Sequence, residues 1–221
     1  MRHTFVQVLL ATLFILALGF LVAWLTMDKP VPVTDYPWVI ETTTNGSIKV
    51  FNTHLGITTL GEFIQRYNTE PEISLFVPPH GDTVIEAYFN SLWLGGVKAK
   101  IVLSLNVNKT ERDAMYDRGL RISTLGSGTR KVQLHSDDIT RLNSMAVTAI
   151  TYIPSLNLET SMLQKRFGEP AQKIMDSVNH AEHWLYPDKG LDIALNENEK
   201  DVLQYVSPKD FDKLVAPLSN N

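Results

Sequence analysis

The chain has 221 residues, a formal net charge of −4 and no cysteine. It therefore has no disulfide, no thiol nucleophile and no lipid-modified amino-terminal cysteine. The negative charge does not indicate a nucleic-acid partner, and the ordinary apolar content is sufficient for a globular core.

The segment Phe5–Thr26 contains no charged residue. As a helix it would be about 33 Å long, which is enough to cross the hydrocarbon core of a bilayer. Arg2 precedes it, which favours a cytoplasmic amino terminus and an exported body. We predict a cytoplasmic stub (residues 1–4), an uncleaved transmembrane signal anchor (5–26) in a bacterial inner membrane, and a periplasmic carboxy-terminal domain. The alternative is a cleaved signal peptide, but Trp24–Asp28 lacks the small residues of a cleavage site.

Prolines make residues 27–37 a short, stiff spacer. Two β-rich runs then flank Asn45-Gly46, a dipeptide that favours a hairpin turn with positive φ at both residues. A helix follows, capped by Thr58 or Thr59.

The next part of the chain contains two further hairpin patterns. Gly95-Gly96 separates two β-rich runs, and the apolar residues of the second run alternate with polar ones, as in a half-buried strand. The predicted elements are strands Thr83–Leu94 and Val97–Val107, a helix over Lys109–Arg118, and strands Leu120–Leu125 and Arg130–His135.

After residue 135, short helices again alternate with strands. Gly168 and Pro170 end the main helix of this part. The predicted elements are a helix from Ser136 to about Asn143, strand Val147–Ile153, helix Leu158–Phe167, a helix or helical turn over Ala171–Val178, strands His183–Tyr186, Leu191–Leu195 and Val202–Val206, and a terminal helix from Ser207 to about Val215.

Two stretches about one hundred residues apart are similar. Ile64–Asn68 aligns with Gln164–Gly168, and each ends a predicted helix. Each is followed by a Glu-Pro pair, an aromatic strand, a glycine turn and an alternating strand. The identities are few, but the shared order predicts an α+β fold of two related helix-plus-antiparallel-sheet units, residues 38–135 and 136–221, after the amino-terminal transmembrane helix.

The second stretch also resembles a known family. Arg166–Pro170 reads Arg-Phe-Gly-Glu-Pro, and Trp184–Pro187 reads Trp-Leu-Tyr-Pro. This pattern, mainly over Leu156–Val206 with a weaker form over Gly56–Leu105, is similar to the SmpA/OmlA family of small lipoproteins in the outer-membrane β-barrel assembly machinery. The resemblance implies a non-catalytic interaction module in a bacterial envelope. The chain departs from the family in its anchor and in lacking a lipidated cysteine, and as a whole it resembles uncharacterised proteobacterial envelope proteins.

No residues match a complete catalytic, metal-binding or cofactor-binding motif, and we predict no cofactor. His80 and Asp82, in a proline-glycine loop, are the best candidates for acid–base chemistry. His180 and His183 have a spacing that suits zinc on a helix. A strand is predicted there instead, which favours surface or strand-edge histidines.

Aromatic residues on the predicted strands are candidates for binding a partner. Most such side chains pack in a core. A groove between the two units would expose some of them to a ligand or peptide, and a free sheet edge would accept a partner strand. The candidates are Tyr88, Trp93, Trp184 and Tyr186.

These patterns together predict a membrane-anchored, non-enzymatic interaction protein of the envelope. Its exported domain would bind another envelope component, and we expect that component to be a protein. Two alternatives stay open. One is an anchored periplasmic hydrolase that uses His80 and Asp82, and the other is a structural accessory subunit whose partner contacts the anchor itself.

Overall fold

A computed structural model of the chain describes residues 35–220. They form an α+β structure with mostly antiparallel sheets and five α-helices within the described range. The predicted transmembrane anchor lies outside the described residues. Within them, no helix combines the length and the apolar character needed to cross a membrane.

The helices are α1 (Leu60–Tyr67), α2 (Lys109–Asp117), α3 (Ser136–Leu142), α4 (Thr160–Phe167) and α5 (Phe211–Val215). The strands are β1 (Glu41–Thr42), β2 (Ile48–Val50), β3 (Thr53–His54), β4 (Glu72–Val77), β5 (Val84–Leu94), β6 (Val97–Leu105), β7 (Arg121–Thr124), β8 (Arg130–Gln133), β9 (Val147–Pro154), β10 (Gln172–Asp176), β11 (Ala181–Tyr186), β12 (Leu191–Asn196) and β13 (Val202–Val206). Short 3₁₀ turns cover Pro187–Lys189, Pro208–Asp210 and Ala216–Asn220.

The strands form a small and a large sheet. The small sheet has the order β1-β2-β3, and the ten-stranded sheet has the order β10-β11-β12-β13-β9-β6-β5-β4-β8-β7. Strand β9 therefore lies between β6 and β13, with Tyr152 opposite both Ile101 and Leu203. Strands β10 and β7 are the two edges of the large sheet.

One face of the large sheet bears the main core. The alternation predicted for β6 is confirmed, because the apolar residues of one face are buried while Lys98 and Lys100 are exposed. Helices α1 and α4 contribute rings to this core: the Phe63 and Phe89 centroids are 5.1 Å apart, and those of Phe167 and Tyr186 are 6.0 Å apart. Full burial of one such side chain contributes about 1.5–3 kcal/mol. The buried residues of the central strands include Ala87, Ile101, Leu103, Ile150, Tyr152, Leu203 and Tyr205.

The hairpin predicted at Asn45-Gly46 is present, but its turn differs from the prediction. Gly46 has a φ of 75°, whereas Asn45 is not among the residues with positive φ. The Thr43 N–H donates to the Ser47 carbonyl at 2.8 Å, which closes a three-residue loop with a single left-handed position. The β7–β8 turn has the same geometry, with Gly128 at a φ of 81°.

Helix α1 begins with the predicted cap. The Thr59 side chain accepts from the Glu62 backbone N–H, and the Glu62 carboxylate accepts from the Thr59 N–H at 2.8 Å, forming a capping box. The helix runs to Tyr67 and is capped by Asn68, whose φ of 47° is left-handed.

The helix predicted over Ala171–Val178 is wrong. Residues Gln172–Asp176 form strand β10, which pairs antiparallel with β11. Gln, Lys and Met are good helix formers, so the local sequence favours a helix. Pairing with β11 outweighs that preference. A contact between the two strands adds to it, because the Lys173 ammonium lies 3.8 Å from the centroid of the Trp184 ring.

Gly168 joins helix α4 to β10 in a conformation that glycine alone adopts readily. Its φ of 83° and ψ of −170° lie outside the regions open to residues with a side chain. The Tyr186 hydroxyl donates to the Gly168 carbonyl at 3.0 Å, and burial raises the pKa of Tyr186 to about 12. This bond connects the two parts of the Arg-Phe-Gly and Trp-Leu-Tyr pattern.

Gly168→Val is expected to lower the free energy of unfolding by about 2 kcal/mol, measured by urea denaturation. No atom lies within 4 Å of the added Cβ, so the cost is backbone strain. Gly126→Val is the matched control, because a Cβ at Gly126 also has no atom within 4 Å and the residue has no positive φ. This substitution should change the free energy of unfolding by less than about 0.5 kcal/mol. An unchanged midpoint for Gly168→Val would contradict the assigned strain.

Candidate functional site

The four aromatic residues predicted to bind a partner lie on two different faces. Trp184 and Tyr186 are on the core face of β11 and are only 2% and 4% exposed. Tyr88 lies on the opposite face and is half-buried, with its hydroxyl 2.9 Å from the Asn90 side-chain oxygen. Trp93 is 69% exposed. Because a strand alternates its side chains, Trp184 and Tyr186 fill the core, and neither is available to a partner at the surface.

The proposed acid–base pair lies in an open loop. His80 and Asp82 are both exposed in the connection from β4 to β5. A general base is normally oriented by a hydrogen bond from a second group. Among the described residues, neither side chain takes part in a hydrogen bond or an ion pair.

His183 is buried, so the prediction of a surface position is wrong for this residue. Its Nδ1 lies 2.8 Å from Oδ2 of Asp192, and the two residues are 8% and 1% exposed. Both lie on the face opposite Trp184. The hydrogen bond to Asp192 raises the pKa of His183, although burial partly opposes it. The second carboxylate oxygen of Asp192 is buried without a hydrogen-bond partner in the described structure.

This pair resembles the base and orienting acid of a hydrolase only in part. Catalysis would also need a nucleophile within reach and a cleft for the substrate. Neither His183 nor Asp192 lines any of the five main cavities found in residues 35–220. The same residues contain no group of three or more histidine or acidic side chains placed to hold a metal ion. Their hydrogen bond joins the neighbouring strands β11 and β12.

The exposed edge of the β7–β8 hairpin is a different kind of surface. Leu120, Ile122 and Leu125 are 60%, 48% and 43% exposed. Strand β7 pairs with β8 on one side, and no described strand pairs with its other side. The run Leu120–Leu125, which we call the β7 edge, therefore combines exposed apolar side chains with unpaired backbone.

The register identifies which backbone groups of the β7 edge are free. The Leu125 N–H donates to the Thr129 carbonyl at 2.8 Å, and hydrogen-bonded positions alternate along an antiparallel ladder. Ile122 and Thr124 are at the intervening positions. Their N–H and C=O groups consequently point away from β8, as a partner strand requires.

The hairpin is held firmly at its base. Arg118, after helix α2, makes a bidentate bond to Asp138 of helix α3, with its Nε and Nη2 at 2.8 and 2.7 Å from the carboxylate. Arg130 donates to the Tyr116 hydroxyl at 2.6 Å. Because β8 also pairs with β4, the β7 edge is presented by a rigid scaffold.

The other edge of the sheet is protected. Strand β10 carries Lys173 and Asp176, and charged residues on an edge strand discourage pairing with another chain. Asp176 also accepts hydrogen bonds from the Val178 N–H and the Asn179 side chain, each at 2.8 Å. The single charged residue of the β7 edge is Arg121. The two edges therefore differ in their capacity to pair with another chain.

The sequence predicts this hairpin but not the exposure of its outer strand. The available signal was the low charge of Leu120–Leu125 beside a glycine turn, which also fits a buried strand. No family model, curated protein or solved structure matches this chain. The function is therefore proposed from the sequence and from the geometry of residues 35–220.

Proposed function

We propose that this chain is a membrane-anchored, non-enzymatic protein of the bacterial envelope whose domain binds an extended segment of a partner protein along the β7 edge. The observation that supports this proposal is the exposed apolar run with unpaired N–H and C=O groups at Ile122 and Thr124. In this proposal, residues 5–26 are the anchor, and the domain faces the periplasm.

Strand addition accounts for both features of the β7 edge. Each backbone hydrogen bond to the partner contributes about 0.5–1.5 kcal/mol, and each cross-strand side-chain pair contributes about 0.2–1 kcal/mol. Ile122 would pair with an apolar or β-branched residue. Arg121, which has no ion pair among the described residues, would face an acidic residue of the partner.

We also propose that the large sheet consists of two related units. Strands β4-β5-β6-β9 and β10-β11-β12-β13 each lie side by side in chain order, and the two sets meet where β9 pairs with β13. In both units a helix ring contacts a strand ring, Phe63 with Phe89 and Phe167 with Tyr186, although the alignment pairs Phe167 with Tyr67. On this basis the first unit extends through β9, beyond residue 135. For the second unit, we propose kinship with the SmpA/OmlA family from the sequence pattern at Arg166–Pro170 and Trp184–Pro187, two segments that the bond from Tyr186 to Gly168 joins.

Photo-crosslinking in intact cells tests the role of the β7 edge. A photoreactive amino acid at Ile122 of the full-length chain is expected to give a discrete protein adduct. The control position is Leu156, which is 61% exposed in the loop between β9 and α4. No adduct at position 122, or the same adduct from both positions, would overturn the proposal.

Ile122→Lys is expected to reduce the adduct formed from a photoreactive residue at Leu125 about tenfold. This loss corresponds to about 1.4 kcal/mol, which is within the range for losing one apolar contact at an interface. Leu156→Lys makes the same chemical change away from the hairpin and should leave the yield unchanged. Equal losses from both variants would indicate a nonspecific effect of charge and would contradict pairing at the β7 edge.

A further inference from the structure

A cleft of about 830 Å³ lies beside the ends of β6 and β9, well within the size range of sites for small ligands. Residues that flank the strands of the small sheet and residues of the β4–β5 loop line one part of it, and the turn before α5 lines another. The cleft shares no lining residue with the β7 edge. A ligand in this cleft would therefore leave the β7 edge free.

Arg112 of helix α2 contributes the main cation of this cleft. Its Nη1 donates to the Val107 carbonyl at 2.5 Å. Its Nε is buried and has no hydrogen-bond partner in the described structure. No carboxylate within residues 35–220 pairs with this guanidinium. An unsatisfied buried donor is costly, and a ligand that draws this guanidinium into the cleft and accepts from Nε would remove that cost.

The other charges of the cleft leave one positive charge in excess. Lys213 is paired with Asp210 at 2.7 Å. The remaining charged groups of the lining are Arg112, Lys209 and Asp82. A ligand with a single negative charge would neutralise the cleft, whereas a dianion would leave an excess of negative charge.

Apolar side chains line the same cleft. Ile57 is 56% exposed and Val84 is 36% exposed, and both are part of its wall. Contact with a ligand would remove this apolar surface from water. The lining therefore suits a ligand with an anionic head and an apolar body.

We propose that the cleft binds an organic monocarboxylate, with the carboxylate on Arg112 and the apolar part of the molecule against Ile57 and Val84. A planar guanidinium has parallel N–H donors that match the two oxygens of a carboxylate. Lys209, in the 3₁₀ turn at Pro208–Asp210, adds a second positive charge to the lining.

The test is an NMR titration. The full-length chain is labelled with ¹⁵N-arginine and placed in lipid nanodiscs. The Arg112 Nε–H signal is assigned by its disappearance in Arg112→Lys. Hexanoate is expected to shift this signal saturably, with hexanamide and inorganic phosphate producing much smaller shifts. The proposal is overturned if hexanoate leaves the signal unmoved up to millimolar concentrations. It is also overturned if hexanamide acts equally, which would exclude a role for the charge, or if phosphate binds more tightly, which would indicate a site for dianions.

Variants provide a second readout. Lys209→Gln should weaken hexanoate binding about threefold, as expected for an exposed charge. Lys165→Gln removes an exposed lysine on helix α4, outside the cleft, and should not change binding. Hexanoate should raise the melting temperature of the wild-type chain but not that of Arg112→Gln. An equal rise in both chains would contradict the assignment of Arg112.

Discussion

Alanine at Gly190 is expected to lower the free energy of unfolding by about 4 kcal/mol. Gly190 has a φ of 59°, which costs a residue with a Cβ about 1–2 kcal/mol. The new Cβ would also lie 1.9 Å from the Val206 carbonyl oxygen. That oxygen cannot move freely, because the Val206 N–H donates to the Gly190 carbonyl at 2.8 Å. Relieving the overlap by shifting the backbone adds about 1–3 kcal/mol.

Gly56→Ala separates strain from overlap. Gly56 has a φ of 80°, but no atom lies within 4 Å of the added Cβ. Its substitution should therefore cost only about 1–2 kcal/mol. Both variants are measured by urea denaturation with a shared m-value. Equal losses at the two positions would show that the contact with Val206 does not matter.

His183→Leu is expected to cost about 3 kcal/mol. The substitution leaves the Asp192 carboxylate buried without the donor that now lies 2.8 Å away, and removing one member of a buried pair typically costs about 3–5 kcal/mol. The double variant His183→Leu/Asp192→Leu should recover most of this loss, because an apolar pair needs no hydrogen bond. A double variant that is less stable than His183→Leu would overturn the interpretation.

The pH dependence of stability provides an independent check on this pair. The hydrogen bond to Asp192 raises the pKa of His183 above its ordinary value of 6.5, so the protonated form stabilises the folded state. This contribution is fully present below pH 6.5 and is lost as the pH rises through the folded-state pKa. Stability of the wild type should therefore fall over that interval, and the double variant should lack the step. Urea midpoints of both proteins at several pH values measure this step. If the wild type and the double variant show the same dependence on pH, His183 is not its cause.

The elements with strong local signals could be predicted from the sequence. Glycines at 95 and 96 have φ values of 56° and 80°, and the strands on either side of them pair as expected. Thr59 and Glu62 form the cap that their spacing indicates. In these cases the residues that determine the structure are neighbours in the chain.

The features set by distant contacts could not be predicted in this way. Strand β10 has the composition of a helix, and its pairing with β11 decides its conformation. His183 looks like an edge histidine in the sequence, but β11 lies inside the sheet with Asp192 on the next strand. The sequence of the β7 edge does not differ from that of a short strand inside a sheet. Its exposure depends on the order of strands in the whole sheet, which no local pattern specifies.

The central position of β9 has a consequence for the speed of folding. Tyr152 is opposite Ile101 and Leu203, each about 50 residues away in the chain, so this part of the sheet has a high contact order. Isolated hairpins form within about 1–10 μs, but the two halves cannot join until the last strand has been synthesised. At about 5–20 residues per second, the ribosome needs roughly 3–10 s to add the stretch between Tyr152 and Leu203. During that interval, the apolar side of a half-built sheet stays open to water and would be a substrate for chaperones.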